Sequence, residues 1–253
     1  MLKSPVMFTP IRVLSDNGPI RVELARWEDR MVVVKKLRAD APFLFDRLRR
    51  EGEVLKKLEH DNIVPLLMTQ DNMIVYAYCP GVNLAEALEA GPLPTKRASR
   101  IVRDVLRGLA YAHANEVIHF DVKPANIIVR GEHALLADFG FAKDLALTAI
   151  TSDDVMLGTP NYMAPEQFRG ERNDPRSDLY SVGAVLYHML TGGPPYGGNI
   201  IRFLIGDRSV ELEPLPAYAK ALAPIIRRSV AYLPEERYQS AEEMYDAVDG
   251  LLS

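Results

Sequence analysis

The octet His119-Phe120-Asp121-Val122-Lys123-Pro124-Ala125-Asn126 sets a carboxylate, an ammonium and an amide within a short stretch. Packing does not ask for these residue types at this spacing, but a phosphoryl-transfer site does. One carboxylate can orient an acceptor hydroxyl, one lysine can neutralise the moving phosphate, and one amide oxygen can ligate magnesium. Standing alone, the octet reads as a polar turn with a proline. It is followed by Asp138-Phe139-Gly140, where a carboxylate at a strand end beside a glycine suits an oxygen-ligated Mg²⁺. Further along come Gly158-Thr159-Pro160-Asn161-Tyr162-Met163-Ala164-Pro165-Glu166 and Ser177-Asp178-Leu179-Tyr180-Ser181-Val182-Gly183. Upstream, Val32-Val33-Val34-Lys35 ends an apolar, β-branched run.

The elements that must hold these groups follow from hydrophobic periodicity. Val13-Leu14 and Ile20 to Leu24 flank the turn-rich Ser15 to Pro19, a hairpin signal. Met31 to Val34 and Met73 to Tyr78 read as strands. Between them Leu44, Leu48, Glu51, Leu55 and Leu58 fall at helical spacing after the start signal Asp40-Ala41-Pro42. From residue 84 the pattern turns helical. Ala98, Ile101, Val102, Val105, Leu106, Leu109 and Ala112 form one apolar face, and Leu179, Val182, Leu186, Met189 and Leu190 another, closed by Gly192. Ile127 to Val129 and Ala134 to Ala137 are short strands around Arg130-Gly131-Glu132. Ser240 with Glu243 is a capping box for a last helix running toward Leu252. Cys79-Pro80-Gly81 marks the junction between a β-rich and a helical part.

Composition narrows the setting. The chain has 253 residues, a formal charge of -4 and one cysteine, Cys79. A mildly acidic total supplies no counterion-release drive toward nucleic acid. One cysteine excludes an intramolecular disulfide framework and a multi-cysteine metal site. No apolar stretch reaches bilayer-spanning length, and the N-terminus lacks a signal-peptide run. The expectation is a cytoplasmic protein with no membrane segment in this chain and no nucleic-acid partner. The oligomeric state is not legible.

Taken in order, these segments resemble the eukaryotic-type (Hanks-type) serine/threonine protein kinase family. Ala-rich helices and Glu166-Gln167 after Ala164-Pro165 are similar to bacterial members. The resemblance implies an α+β, bilobal protein-kinase-like fold over residues 1–253. A small antiparallel β-sheet N-lobe with one helix would occupy about residues 1–76, a hinge 77–83, and a larger, mainly α-helical C-lobe 84–253. It implies ATP and Mg²⁺ as cofactors and a protein substrate with a Ser/Thr acceptor. Asp121 resembles the catalytic base, Lys123 the loop lysine near the γ-phosphate, and Lys35 the lysine on the α- and β-phosphates. Glu51, Glu53 and Glu59 compete to pair with Lys35. Glu51 shares the face of Leu48, Leu55 and Leu58 and is preferred, whereas Glu53 stands four residues before Lys57 as a surface pair. Asn126 and Asp138 resemble the magnesium ligands. Leu14, Val22, Val33, Tyr76, Ala77, Cys79, Asn83 and Ile128 fall at nucleotide-binding positions, with Tyr76 the gatekeeper and Asn83 near the ribose. Glu166 with Arg237, Asp178, and the column Leu55, Leu66, His119 and Phe139 match structural positions of the fold. The Lys123 pattern and Gly158-Thr159 resemble the serine/threonine branch.

The match departs from the family at three places. Ser15, Asn17 and Ile20 stand where three glycines are expected, Pro19 takes the aromatic tip, and Gly18 alone supplies backbone freedom. Val33 replaces the alanine that lies against adenine. Phe120 stands where many members carry an arginine that reads a phosphate on the activation segment. Thr148, Thr151 and Ser152 are candidate phosphosites and equally read as solvated loop hydroxyls. The glycine-poor loop and Val33 keep a second function class open, a pseudokinase or scaffold that binds proteins. A kinase for small metabolites is a third.

Overall fold

A computed structural model describes residues 7–17, 19–38, 48, 52–53, 55–70, 72–139, 160–171 and 173–251. The expectations placed on Gly18, the 40–42 start signal, Leu44, Glu51, Gly140, Thr148, Thr151, Ser152, Gly158, Thr159 and Leu252 lie outside these residues. The chain divides into two compact units, one comprising Met1–His60 and Val64–Pro80, the other Asp61–Ile63 and Gly81–Ser253. The first is a small antiparallel sheet, the second is mainly helical, and together they make an α+β protein.

In the first unit β1 (Thr9–Asn17), β2 (Ile20–Trp27), β3 (Arg30–Leu37), β4 (Leu66–Gln70) and β5 (Met73–Ala77) form a sheet in the order β1-β2-β3-β5-β4. Side chains alternate between faces along a strand. On β3, Val32 and Val34 therefore point to one side, where they join Ala25 and Val75 in a buried cluster backed by Phe8, Trp27 and Met73. Val33, Lys35 and Leu37 point to the other. The register pairs Val22 with Lys35, Lys35 with Ile74, Leu24 with Val33 and Val33 with Tyr76, so all of these share that second face.

The β1–β2 hairpin is tighter than the turn signal implies. Ser15, Asp16 and Asn17 are strand residues, and pairing continues to Asn17 opposite Ile20. Charges flank this pairing: Asp16 meets Arg38 and Arg21, and Arg21 meets Glu23 two residues along the same strand. Leu14 falls at a register shift between Val13 and Ser15 and is exposed. A bulge of this kind leaves one residue unpaired and re-aims its side chain.

Leu48, Leu55 and Leu58 are buried as their spacing requires, and residues 48, 52, 53 and 55 are helical. The expected Glu53 partner is corrected: its carboxylate takes Lys56 at 2.6 Å, at i+3 rather than i+4. Residues 56 and 57 already lie in the turn that ends the helix, which removes the i+4 geometry for Lys57.

In the second unit β6 (Val82–Asn83), β7 (Ile127–Arg130) and β8 (His133–Leu136) form a small sheet. Around it lie α1 (Leu84–Leu88), α2 (Thr95–Ala114), α3 (Pro165–Phe168), α4 (Arg176–Thr191), α5 (Ile200–Leu204), α6 (Ala223–Ser229) and α7 (Ala241–Asp249). The apolar face expected on α2 is the buried one, and α2 packs on α4, α7 and β8. Gly108 lets the 61–63 segment cross α2 closely, because a Cβ there would sit 2.9 Å from the Asn62 carbonyl. That carbonyl accepts the Leu136 N–H at 2.8 Å, and Asn62 Nδ2 donates to Ala134 O at 3.0 Å. Helix α4 ends at Gly192 with φ 83°, a left-handed cap that suits glycine.

The capping box on α7 is half formed. Ser240 Oγ accepts the Glu243 N–H, but Glu243 Oε2 accepts from Gln239 N rather than Ser240 N. Arg228 holds the other Glu243 oxygen at 2.6 Å and sets where that carboxylate points. Among the described residues no helix is long and apolar enough to cross a membrane.

Candidate active site

The octet lies between the end of α2 and β7. Its last three residues, Pro124–Asn126, make a single 3-10 turn, with proline at the position where a missing N–H costs nothing. The turn brings Asn126 back onto Asp121. Lys123 Nζ donates to Asp121 Oδ2 at 2.8 Å, and Asn126 Nδ2 donates to the same oxygen at 2.9 Å and to the Asp121 carbonyl at 2.8 Å. Both side-chain bonds fall on Oδ2, and neither falls on Oδ1. Ala137 N donates to the Asn126 carbonyl at 2.8 Å, which sets Asp138 beside the turn.

Two residues here adopt left-handed backbone, Phe120 at φ 59° and Asp138 at φ 61°. An aspartate tolerates this; a phenylalanine pays about 1–2 kcal/mol, so other groups must hold it. Asp178, fully buried on α4, accepts the N–H of His119 at 2.9 Å, the N–H of Phe120 at 2.7 Å, and faces His113 Nε2 at 2.8 Å. His119 Nδ1 accepts the Asp121 N–H at 3.2 Å. The ring hydrogen therefore sits on Nε2, which donates to Ala137 O at 3.0 Å. The His119 and Phe139 rings pack at 4.5 Å between centroids. His119 thus joins the loop carrying Asp121 to the strand end carrying Asp138.

Below the loop, Glu166 and Arg237 form a buried two-pronged pair at 2.7 and 2.8 Å, and Ser177 Oγ donates to Glu166 at 2.6 Å. Burial by itself would raise the Glu166 carboxyl, but the Arg237 hydrogen bonds and charge, with the Ser177 hydroxyl, outweigh it and hold the group below its ordinary 4.5. Tyr162 OH lies 2.6 Å from His188 Nδ1. Burial pushes the Tyr162 phenol up to about 12. These two side chains, with Leu88, Glu89, Lys123 and Pro124, line a cavity of about 310 Å³.

Oxygen donors for a hard divalent cation are present. Asn126 commits its amide nitrogen to Asp121, which reserves its oxygen for a ligand, and Asp138 supplies a carboxylate. Among the described residues no group of three or more His, Cys, Asp or Glu converges as a cage. A two-residue oxygen set fits Mg²⁺, which keeps several waters and takes its remaining ligands from phosphates.

In the first unit Val22, Val33, Lys35 and Tyr76 share one sheet face, with Lys35 buried among them. The Ala77 N–H is taken by Pro65 O at 2.9 Å, and its carbonyl accepts from Cys79 Sγ at 3.8 Å. In the second unit Ile128 sits on β7, half-buried. Asn83 caps α1: its Oδ1 accepts from Glu86 N and its Nδ2 donates to Glu86 Oε1. Glu59 is exposed, and Glu51 lies outside the described residues. The sequence singled out no role for His113, and for Gln167 only a likeness to bacterial members. His113 carries a faint signal, a histidine in the last turn of an otherwise apolar-faced helix. Gln167 carries one too, at the third position after Ala164 where a capping side chain sits.

A family profile described as a protein kinase domain matches residues 17–247. The serine/threonine-protein kinase PknB of Mycobacterium leprae is 37% identical over 254 residues, covering 92% of this chain and 41% of that protein. The serine/threonine-protein kinase PrkC of Bacillus subtilis is 34% identical, covering 92% of this chain and 39% of its own length. The serine/threonine-protein kinase pkn2 of Myxococcus xanthus is 32% identical over 95% of this chain and 32% of its own. The chain thus spans about two fifths or less of the curated relatives it matches. With the ordered motifs on one side and this coverage on the other, the chain belongs to the protein kinase domain family.

Proposed function

We propose that the chain transfers the γ-phosphoryl group of ATP to serine or threonine hydroxyls of a protein. The observation that carries this reading is the convergence of Lys123 and Asn126 on one oxygen of Asp121. Asp121 Oδ1 accepts the acceptor hydroxyl proton as the oxygen attacks, a contribution of about 10²–10⁴-fold for a positioned base. Lys123, already at Asp121, carries positive charge to the oxygens of the moving phosphoryl. Lys35 is assigned to the α- and β-phosphates by the family pattern, and Val22, Val33 and Tyr76 to the base. Asn126 and Asp138 would hold the divalent cation, which would supply charge neutralisation to the nucleotide phosphates. The relatives, themselves serine/threonine-protein kinases, favour serine/threonine over tyrosine acceptors.

With Phe120 before Asp121, no arginine reads a phosphate at that point; the Phe120 N–H is held by Asp178. The test is transfer of labelled γ-phosphate to a generic protein substrate. Parent protein should label it, and Asp121→Asn and Lys35→Met should not; variants as fast as the parent would remove the assignment.

One observation favours a second reading, a protein-binding scaffold with little turnover. The β1–β2 hairpin is strand-paired and charge-braced where the family has a pliable glycine loop. Mg·ATP that binds the folded protein must raise its melting temperature. No shift and no labelling would favour the scaffold.

A further inference from the structure

We propose that Gln167 is a positioning residue for Asp121, acting through the backbone of Phe120; the proposal rests on the phosphotransfer reading above. Gln167 is 2% exposed and lies on the short helix α3, far along the chain from the octet. Its Oε1 accepts the Ala164 N–H at 3.1 Å, and its Nε2 donates to the Phe120 carbonyl at 2.9 Å.

The first bond is an ordinary helix-start cap, and a glutamate would make it equally well. The second needs a donor. Only an amide satisfies both partners, because one partner is an N–H and the other a C=O. The amide orientation follows from the same chemistry.

The peptide unit between Phe120 and Asp121 is therefore gripped at both ends. Its carbonyl is held by Gln167 and its N–H by His119 Nδ1. The preceding N–H is held by Asp178. This grip is needed because Phe120 sits at φ 59°, where an L-residue with a large side chain does not rest unaided. Released at its carbonyl, the peptide can rotate toward a relaxed conformation. The Asp121 side chain then turns with it, away from Lys123 and Asn126. A displacement of about 1 Å in a reacting group costs on the order of 10²-fold in rate.

The experiment compares Gln167→Met, which keeps volume and loses both bonds, with Gln167→Glu, which keeps the cap and loses the donor. Both variants should lose about 10- to 100-fold in kcat with KM for ATP unchanged, the mark of an interaction that orders the reacting group. If Gln167→Glu matches the parent, the Phe120 bond does no positioning and the proposal falls. Hydrogen–deuterium exchange of the peptide spanning residues 119–122 is read in parallel on parent and variants, with α4 as internal control. Faster exchange in that peptide alone supports the grip; unchanged exchange overturns it. Because this second readout needs no turnover, a parent that transfers no phosphate would sink the phosphotransfer reading and still leave the grip tested.

Discussion

Asn126 donates from one amide nitrogen to both the carbonyl and the carboxylate Oδ2 of Asp121, at 2.8 and 2.9 Å. The same side chain so orients the proposed base and presents the proposed cation ligand. Asn126→Ala should lower kcat about 10- to 100-fold and raise the Mg²⁺ concentration needed for half-maximal rate. Asn126→Asp keeps an oxygen ligand but faces a second carboxylate toward Asp121, so its rate should fall as well. Initial rates across a Mg²⁺ titration check both; an unchanged Mg²⁺ requirement in Asn126→Ala would count against Asn126 as a ligand.

Asp178 accepts two backbone N–H groups of the octet from a fully buried position. Asp178→Ala strands both donors, at about 1–3 kcal/mol each. Urea unfolding should register a loss of that order. A loss under 1 kcal/mol would mean that other acceptors replace the carboxylate.

The Glu166–Arg237 pair should show itself in acid. A depressed carboxyl contributes stability that is present above its ordinary 4.5 and is lost as pH falls below it. Arg237→Met should cost about 3–5 kcal/mol at neutral pH, because it leaves a buried charge alone. It should also reverse the acid slope: with burial the dominant influence left, Glu166 is raised, and the variant regains stability as pH drops. Unfolding midpoints against pH for parent and variant check the sign.

His188 makes a second, milder pH element. Burial lowers its imidazole below the ordinary 6.5, against a smaller opposing backbone hydrogen bond at Gly192. The sign follows: the unfolded chain takes the proton first, so stability is full above 6.5 and declines as pH falls through the lowered value. His188→Gln should flatten this part of the stability profile. An identical slope in both proteins would place the titration elsewhere.

Much of the fold was legible because hydrophobic burial is local in its signature. The face of α2 from Ala98 to Ala112, the β-branched strand run from Met31 to Val34, and the break at Gly192 follow from period and residue type, and each is where the sequence implies. The octet was legible for a different reason: its groups are close in sequence, and a proline-started turn folds Asn126 back onto Asp121. Where local rules compete, reading failed. Glu53 had two lysines within reach, and the helix end chose Lys56. The turn-rich Ser15 to Asn17 became strand because cross-strand pairing and the Asp16 ion pairs outweighed turn propensity.

By itself, then, the sequence determined which residue types are offered to the chemistry, which faces are apolar and where the helical part begins. Only the tertiary structure decided what holds the octet in shape. Phe120 is left-handed because Asp178 and Gln167 grip its backbone from positions 58 and 47 residues away, and His113 reaches Asp178 across 65. Hydrogen bonds are short and directional, so such partners become visible only once packing has brought distant segments within 3 Å or so of one another.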